Sequence, residues 1–525
     1  MSFTAGDQDS HPQGDMHPPA YLPNQGQDGD RAAPAWGGAD RSPGPVAAAP
    51  WGRAGEPAAT ARLRRQLAAI LRYGAPPGPG GADGPGLPPR PGAPLPPPLD
   101  PGPTGAAPVD PAGHDWAQLD WPALLALAQA ERLDALLYTA LLGAHAAGTC
   151  PWLIRSALEA AYWRTKVANL LAFDAVDQLT GALAAVDVPS VVLKGAALAF
   201  TLYPDPARRP IGDIDILVHP EHVAVALRVL KLLGYAPAPN GPAAAIVARI
   251  AAGDTRTLSR RCQVPMLRGA RDAHQLPMQV DLHWSLNSRA LLRRTMDAAW
   301  FWDHVRPPAG GSAGARAGAQ PHLPGALRVL SDEAQLLHLC AHTLQHGIPR
   351  LRWTYDMALL LVRRPLAWEV VLAGAERCGL GLAVQSSLAA VSLIWGVAPP
   401  AWVEERLAAL PVSGAELRLR RATWSGDGRA VAAFDLLSQP DLGSALDLWL
   451  AAILPPAAYL QARYKMADPH LLPAYYLLHA VRGTVLASLG ALRLLARDPG
   501  TPGAAPSPAK APPPAKAPPP AEADS

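Results

Sequence analysis

The sequence predicts an α+β protein: a small mixed β-sheet core with N-terminal and C-terminal helical segments, and Pro/Gly-rich ends expected to be disordered. Three observations carry this. Two short runs, Asp213-Ile-Asp-Ile-Leu-Val218 and Pro277-Met-Gln-Val-Asp-Leu-His-Trp284, alternate polar with aliphatic residues, the period-2 signature of strands with one apolar face. Long stretches on both sides repeat their apolar residues at helical spacing. The 60 prolines and 46 glycines of the 525-residue chain are gathered into a few segments instead of being spread through it.

In chain order, residues 1–60 are polar and rich in Gly, Pro, Ala and Asp, and 75–114 form a Pro/Gly linker. Such compositions bury too little apolar surface to offset chain entropy. Between them, residues 61–74 have helical periodicity and are expected to dock on the core as an N-terminal helix. Residues 115–186 read as a helical segment, with helices over Trp121–Ala147 and Leu153–Val186, and Asp120 with Pro122 behind it as a helix start. Residues 187–306 form the sheet core. Within it, Val188-Pro-Ser-Val-Val-Leu-Lys194 is a strand that stops at Gly195, and Ala196 to Tyr203 a short helix. The Gly/Ala/Pro run from Pro307 to Pro324 is a loop or insertion. Residues 325–497 form a helical C-terminal domain, with helices over Leu327–Gly347, Trp353–Val362, Trp368–Cys378, Gly379–Val397 and Ala445–Leu454. The tail, 498–525, repeats Lys-Ala-Pro-Pro-Pro-Ala and is expected to be extended and solvated.

The formal charge is only +3, with no basic stripe interleaved with aromatics, so nucleic-acid binding is not favoured. Cys150, Cys262, Cys340 and Cys378 are too far apart for a Cys-x-x-Cys motif and read as reduced thiols. The stretch after Met1 has neither the basic start nor the apolar core of a signal peptide, and a cytoplasmic location is expected. The uncharged run Gly379–Val397 is almost long enough to span a bilayer, but Gln385, Ser386, Ser387 and Ser392 make a buried helix the better reading.

Chemistry centres on the acids. Alternation places Asp213 and Asp215 on one face of their strand and Ile214 and Ile216 on the other. Two carboxylates so close repel each other unless a cation lies between them, so the pair reads as a divalent-metal clamp. Upstream, a strand, a Gly turn and a helix N-terminus make a phosphate-binding arrangement around Gly195, to which Lys194 and Arg209 add positive charge. Two-metal phosphoryl chemistry commonly uses a third carboxylate. Asp281, sharing a strand face with Gln279 and His283, is the candidate, provided its strand lies beside that of Asp213 and Asp215.

Together these segments resemble the uncharacterised nucleotidyltransferases of the DNA polymerase β-like superfamily. The resemblance runs over roughly residues 115–490 and rests on Leu193-Lys-Gly-Ala-Ala-Leu198, Tyr203, Arg209 through Val218, Val280-Asp-Leu-His-Trp284, Leu336-Leu-His-Leu-Cys-Ala-His342, Arg350-Leu-Arg-Trp353 and Asp356. It implies a two-metal site for Mg²⁺, or Mn²⁺, held by Asp213, Asp215 and Asp281, with Asp281 activating an acceptor hydroxyl. It also implies an NTP substrate, ATP being favoured, and transfer of the nucleoside monophosphate to a hydroxyl of a small molecule or protein. Of Arg208 and Arg209 it favours Arg209 alone for the triphosphate, beside Lys194 and Gly195. The wider superfamily reads Gly-Ser or Gly-Gly where this chain has Gly195-Ala196. Lys194 is expected to replace the missing hydroxyl contact, and the departure keeps open a catalytically silent module that binds a nucleotide or a partner protein.

Three further residues are assigned on position. His283 shares a face with Asp281 and is expected to hold that carboxylate from behind. His338, His342 and His346 recur at intervals of four and make one helix stripe. A zinc site there lacks an acidic or cysteine partner, so the stripe is expected either to face the catalytic cleft, with His342 and Arg352 near phosphate or acceptor, or to consist of plain core or surface histidines. Trp284, Trp300, Trp302 and Trp353 are assigned to the core.

Overall fold

The structure, a computed structural model, describes residues 58–72 and 116–495 apart from 144–147, 239–241, 270–276, 309–325 and the single residues 204, 348, 426, 456, 465 and 467. Most of 1–60, all of 75–114, most of the Pro307–Pro324 run and all of 498–525 lie outside the described residues.

The N-terminal helix α1 (Ala58–Arg72) does dock. Leu67, Ile70 and Leu71 are fully buried, and the helix packs on α2 (Trp121–Glu131), α3 (Asp134–Gly143) and α14 (Gly381–Trp395). The Asp120 side chain caps α2 by accepting from the Ala123 backbone N–H at 3.1 Å. Arg132 ends that helix in the left-handed region (φ 55), so the stretch read as one helix over Trp121–Ala147 is two. The long α4 (Trp152–Ala184) follows.

The sheet has seven strands among the described residues: β1 (Ser190–Val192), β2 (Ile214–Val218), β3 (Ala236–Pro237), β4 (Gln263–Arg268), β5 (Met278–His283), β6 (Val305–Arg306) and β7 (Val329–Leu330). Their order is β3-β4-β5-β2-β1-β7-β6, with parallel pairing at β2–β5 and β1–β7 and antiparallel pairing elsewhere. The sheet is therefore mixed, as expected, with β2 in its centre. Four of its strands are absent from the sequence reading: the two-residue β3, β6 and β7, and the longer β4. β4 carries Pro265 in its middle, which hides it from a pattern search. β7 lies where one helix was expected over Leu327–Gly347, so the sheet draws a strand from beyond the 307–324 insertion.

Ile214 and Ile216 of β2 enter one core with Val280 and Leu282 of β5, Val192 of β1 and the buried stripe Phe173, Val176 and Leu179 of α4. The opposite face, bearing Asp215, looks toward α5 (Lys194–Thr201) and the helical part. Between β2 and β5 lie α6 (Val223–Leu232), α7 (Ala243–Ala251) and α8 (Thr255–Arg260); α9 (Ala290–Thr295) and α10 (Ala298–Asp303) follow β5. The helical part then runs through α11 (Asp332–His346), α12 (Leu351–Arg363), α13 (Trp368–Arg377), α14, α15 (Ala401–Ala409), α16 (Gly414–Trp424) and α17 (Gly428–Leu437) to α18 (Leu442–Ile453), α19 (Ala457–Tyr464) and α20 (Leu472–Leu495). α11 is central: Ser331 caps it, and it packs on α5, α12, α13, α14 and α16. All four cysteines are buried and free, and among the described residues no helix is long and apolar enough to cross a membrane.

His338 of α11 couples this core to pH. It is 1% exposed, its Nε2 lies 3.3 Å from the Leu286 carbonyl, and burial pushes its pKa down to about 3. A histidine whose folded pKa lies below its unfolded value adds stability above the unfolded value, and this is lost as pH falls toward the folded one. Between about pH 6.5 and 3 the protein should therefore lose up to about 1.4 kcal/mol per pH unit from this residue alone. Urea midpoints at pH 7, 6, 5 and 4 should show a steeper decline in the wild type than in His338→Gln; equal slopes would contradict the assignment.

Candidate metal and phosphate site

The site is built on neighbouring strand ends. In the parallel β2–β5 ladder Asp215 pairs with Asp281 and Leu217 with His283, so both acids share one sheet face. Asp213 sits just ahead of β2, half-buried, where the chain enters the strand. The three aspartates singled out from sequence thus converge on one edge of the site. Asp215 and Asp281 are almost fully buried, at 3% and 6% exposure.

Asp215 is the electrostatic centre. Its Oδ1 accepts from the Lys194 ammonium at 2.8 Å and lies 2.7 Å from His283 Nε2. The histidine therefore stands behind Asp215, not behind Asp281 as its strand face suggested. The cause is register: in the parallel ladder the His283 ring leans across to the neighbouring strand. Its Nδ1 lies 3.3 Å from the Ser285 carbonyl. Asp281 is instead held by glutamine amides, Gln279 donating to Oδ1 at 2.9 Å and Gln263 of β4 donating to Oδ2. Gln263 was missed from sequence because its strand was.

The charges are unequal. Burial alone would raise the Asp215 carboxyl, but Lys194 and His283 overcome it and hold the group ionised, far below the ordinary carboxylate range. Asp213 pays for this: the Asp215 charge, then burial, then Asp281, push it up to about 6. Asp281 is raised as well, by burial first and Asp215 next. Acids that suppress one another's ionisation are what a divalent cation relieves. Asp215, Asp281 and His283 bring one ligand atom each within 4.8 Å of one another, the three-residue grouping of that kind among the described residues. The His338, His342 and His346 stripe makes no such grouping.

On the phosphate side, Lys194 opens α5 with a left-handed backbone (φ 48), a strained conformation for a residue with a side chain, costing on the order of 1 kcal/mol. In this conformation its ammonium lies 2.8 Å from Asp215 Oδ1. Gly195 follows, and the Arg209 guanidinium lies against it, 3.4 Å from where a Cβ would be. Arg209 itself is committed internally: it is 5% exposed, its Nε and Nη2 donate to Asp356 at 2.8 to 3.1 Å, and its Nη1 donates to the Pro210 carbonyl. Asp356 also accepts from the Tyr203 hydroxyl at 2.7 Å. The buried Asn169 of α4 donates to the Pro206 and Arg209 carbonyls and accepts from the Ile211 N–H, clamping the loop that delivers Asp213. Nothing in its local sequence marks it.

Two assigned residues lie on the helical side. His342 is half-buried, with its ring against His346 (4.5 Å between centroids) and Trp353 (4.7 Å). Burial, then the neighbouring histidine, keep its pKa well below the ordinary value, and the charges of Lys194 and Asp215 also reach it. Arg352 lies at the start of α12 with its Nε and Nη1 buried and unbonded.

The model of a family described as uncharacterised nucleotidyltransferase matches residues 117–396, a span that holds the sheet, the three aspartates, α11, α12 and α14. No curated protein and no solved structure matches the chain.

Proposed function

Because the chain belongs to this nucleotidyltransferase family, we propose that it transfers a nucleoside monophosphate from an NTP, with ATP the favoured donor, to a hydroxyl of a small molecule or a protein, in the cytoplasm. The observation that carries the reading is the pairing of Asp215 with Asp281 across two parallel strands, with Asp213 at the strand entrance. The donor set fits a hard divalent cation: carboxylate oxygens with mutually raised protonation and an imidazole behind one of them. Asp213, Asp215 and Asp281 would hold Mg²⁺, or Mn²⁺. A metal held there would supply charge to neutralise the triphosphate and to make the acceptor hydroxyl more acidic.

The protein's own groups do the rest. His283 and Lys194 keep Asp215 ionised and oriented. Gln263 and Gln279 fix both oxygens of Asp281, aiming a carboxyl with a raised pKa at the side where an acceptor proton has to go. The strained Lys194 supplies a cation where the wider superfamily supplies a hydroxyl. Gly195-Ala196 favours the second reading, a silent module that binds a nucleotide or partner without turning it over.

One experiment separates the two. Purified protein incubated with each labelled NTP, Mg²⁺ or Mn²⁺ and a cell extract should yield a labelled product, and Asp281→Ala should remove nearly all of it while NTP binding survives at reduced strength. Transfer undiminished by Asp281→Ala would refute the role of that acid. No transfer from wild type under any condition would favour the silent module.

A further inference from the structure

We propose that Arg132 and Arg352 form a phosphate-binding subsite beside the aspartates, a fork pair that grips a phosphoryl group of the donor's polyphosphate chain or of a phosphorylated acceptor. The inference rests on the nucleotidyltransferase reading only for what the phosphate belongs to; the anion site itself stands on the geometry.

Arg352 is the first observation. Its Nε and Nη1 are buried without a hydrogen-bond partner. An unpaired buried guanidinium is costly, and native structures rarely keep one that no ligand, ion or water covers. The carboxylate one helical turn along, Asp356, is already taken by Arg209 and Tyr203. Arg306 and Arg364 also have a buried Nε without a hydrogen bond, but each pairs with a carboxylate; Arg208 shares with Arg352 a buried, unbonded Nε and no ion pair among the described residues, but only Arg352 leaves a second guanidinium nitrogen, Nη1, in that state. Burial first, then repulsion from Arg209 and Arg132, push its pKa down to about 9, the direction an incoming dianion would reverse.

Arg132 is the second observation, and no reading of the sequence had singled it out. It terminates α2 in the left-handed region, and its Nη1 lies 2.6 Å from where a Cβ on Gly212 would be. The guanidinium therefore rests on the backbone immediately ahead of Asp213, and the glycine makes room for it. Its charge also acts on Arg352. Glu131, beside Arg132, accepts from the Leu351 N–H and pairs with Arg64, and Asp356 is held by Arg209, so the acids nearby already have partners. Two guanidinium groups close enough to repel each other, one of them on the backbone ahead of Asp213, have the chemistry of a phosphate clamp: planar donors matched to phosphate oxygens. Lys194 and Arg209 share their charge with Asp215 and Asp356, so the two arginines add donors beyond what Lys194 supplies.

The test uses the full chain in EDTA, with tripolyphosphate and inorganic phosphate as probes in calorimetry. The wild type should bind tripolyphosphate without metal, and Arg132→Ala and Arg352→Met should each weaken it by roughly tenfold to a hundredfold. Arg352→Lys, which keeps charge but not the fork, should recover only part. Arg352→Met should melt at the same temperature as wild type or higher, since it removes an uncompensated buried charge. An arginine holding the fold together would instead lower the melting temperature and leave phosphate affinity unchanged, and that result overturns the proposal. So does a wild type that binds neither probe. Titrating Mg·ATP identifies the source. A donor clamp makes both variants lose Mg·ATP affinity, while an acceptor clamp leaves that affinity intact and retains phosphate binding in the presence of saturating Mg·ATP. Asp215→Asn should lose metal binding yet keep tripolyphosphate binding in EDTA, so failure of the metal reading and failure of this subsite are told apart.

Discussion

Asp215→Asn should abolish Mg²⁺ and Mn²⁺ binding and with it NTP-dependent label transfer, while the protein stays folded. The size of the effect follows from the position of this carboxylate. It is the one acid of the cluster that its surroundings hold fully ionised, with the Lys194 ammonium and His283 on the same oxygen. Losing a partner behind a metal ligand typically costs about tenfold to a hundredfold in affinity or activity, so losing the ligand's charge should cost more than about a hundredfold. The fold should survive because the neighbouring acids compensate. The Asp215 charge is the largest cause of the raised Asp213 pKa, and without it Asp213 ionises more readily and can balance Lys194. Calorimetric titration of Mg²⁺ and Mn²⁺ measures the first claim and circular dichroism the second; metal affinity within a factor of two of wild type would refute the site. His283→Ala is the graded companion, expected to lose about tenfold to a hundredfold in metal affinity through a less well held Asp215.

The second large effect is structural. Asp356→Ala should destabilise the protein by about 3–5 kcal/mol, the cost of stranding one member of a buried ion pair. Asp356 is 0% exposed, takes three hydrogen bonds from Arg209 and one from Tyr203, and so ties α12 to the loop before Asp213. Removing it leaves the Arg209 guanidinium buried against Gly195 with no counter-charge. Arg209→Met combined with Asp356→Leu should recover much of the loss, since replacing both charges by apolar groups removes the desolvation that makes the single change so damaging. Denaturant melts of the single and double variants measure this, and a loss under about 1 kcal/mol in Asp356→Ala would mean that the pair is not what holds the loop.

What the sequence could determine was local. Alternation along Ile214-Asp215-Ile216 separated a core face from an acid face within one strand, because the period of a strand is written in consecutive residues. The Asp120 cap and the long apolar periods of α4, α12, α13 and α14 were legible for the same reason, and the family resemblance put the three acids and Lys194 in one proposed chemistry before any contact was known. β4 escaped because Pro265 breaks the pattern on which strand recognition depends, and β7 because two residues carry no period of their own. What only the tertiary structure decided was pairing. That Asp281 lies opposite Asp215 depends on the parallel register of strands more than sixty residues apart in sequence, and that His283 holds Asp215 and not the acid on its own strand depends on the same register. That Asp356 binds Arg209 and leaves two guanidinium nitrogens of Arg352 without a partner depends on how helices pack over the sheet. Charges acquire partners through space, and a chain of residues read one after another contains no record of which distant oxygen a guanidinium will meet.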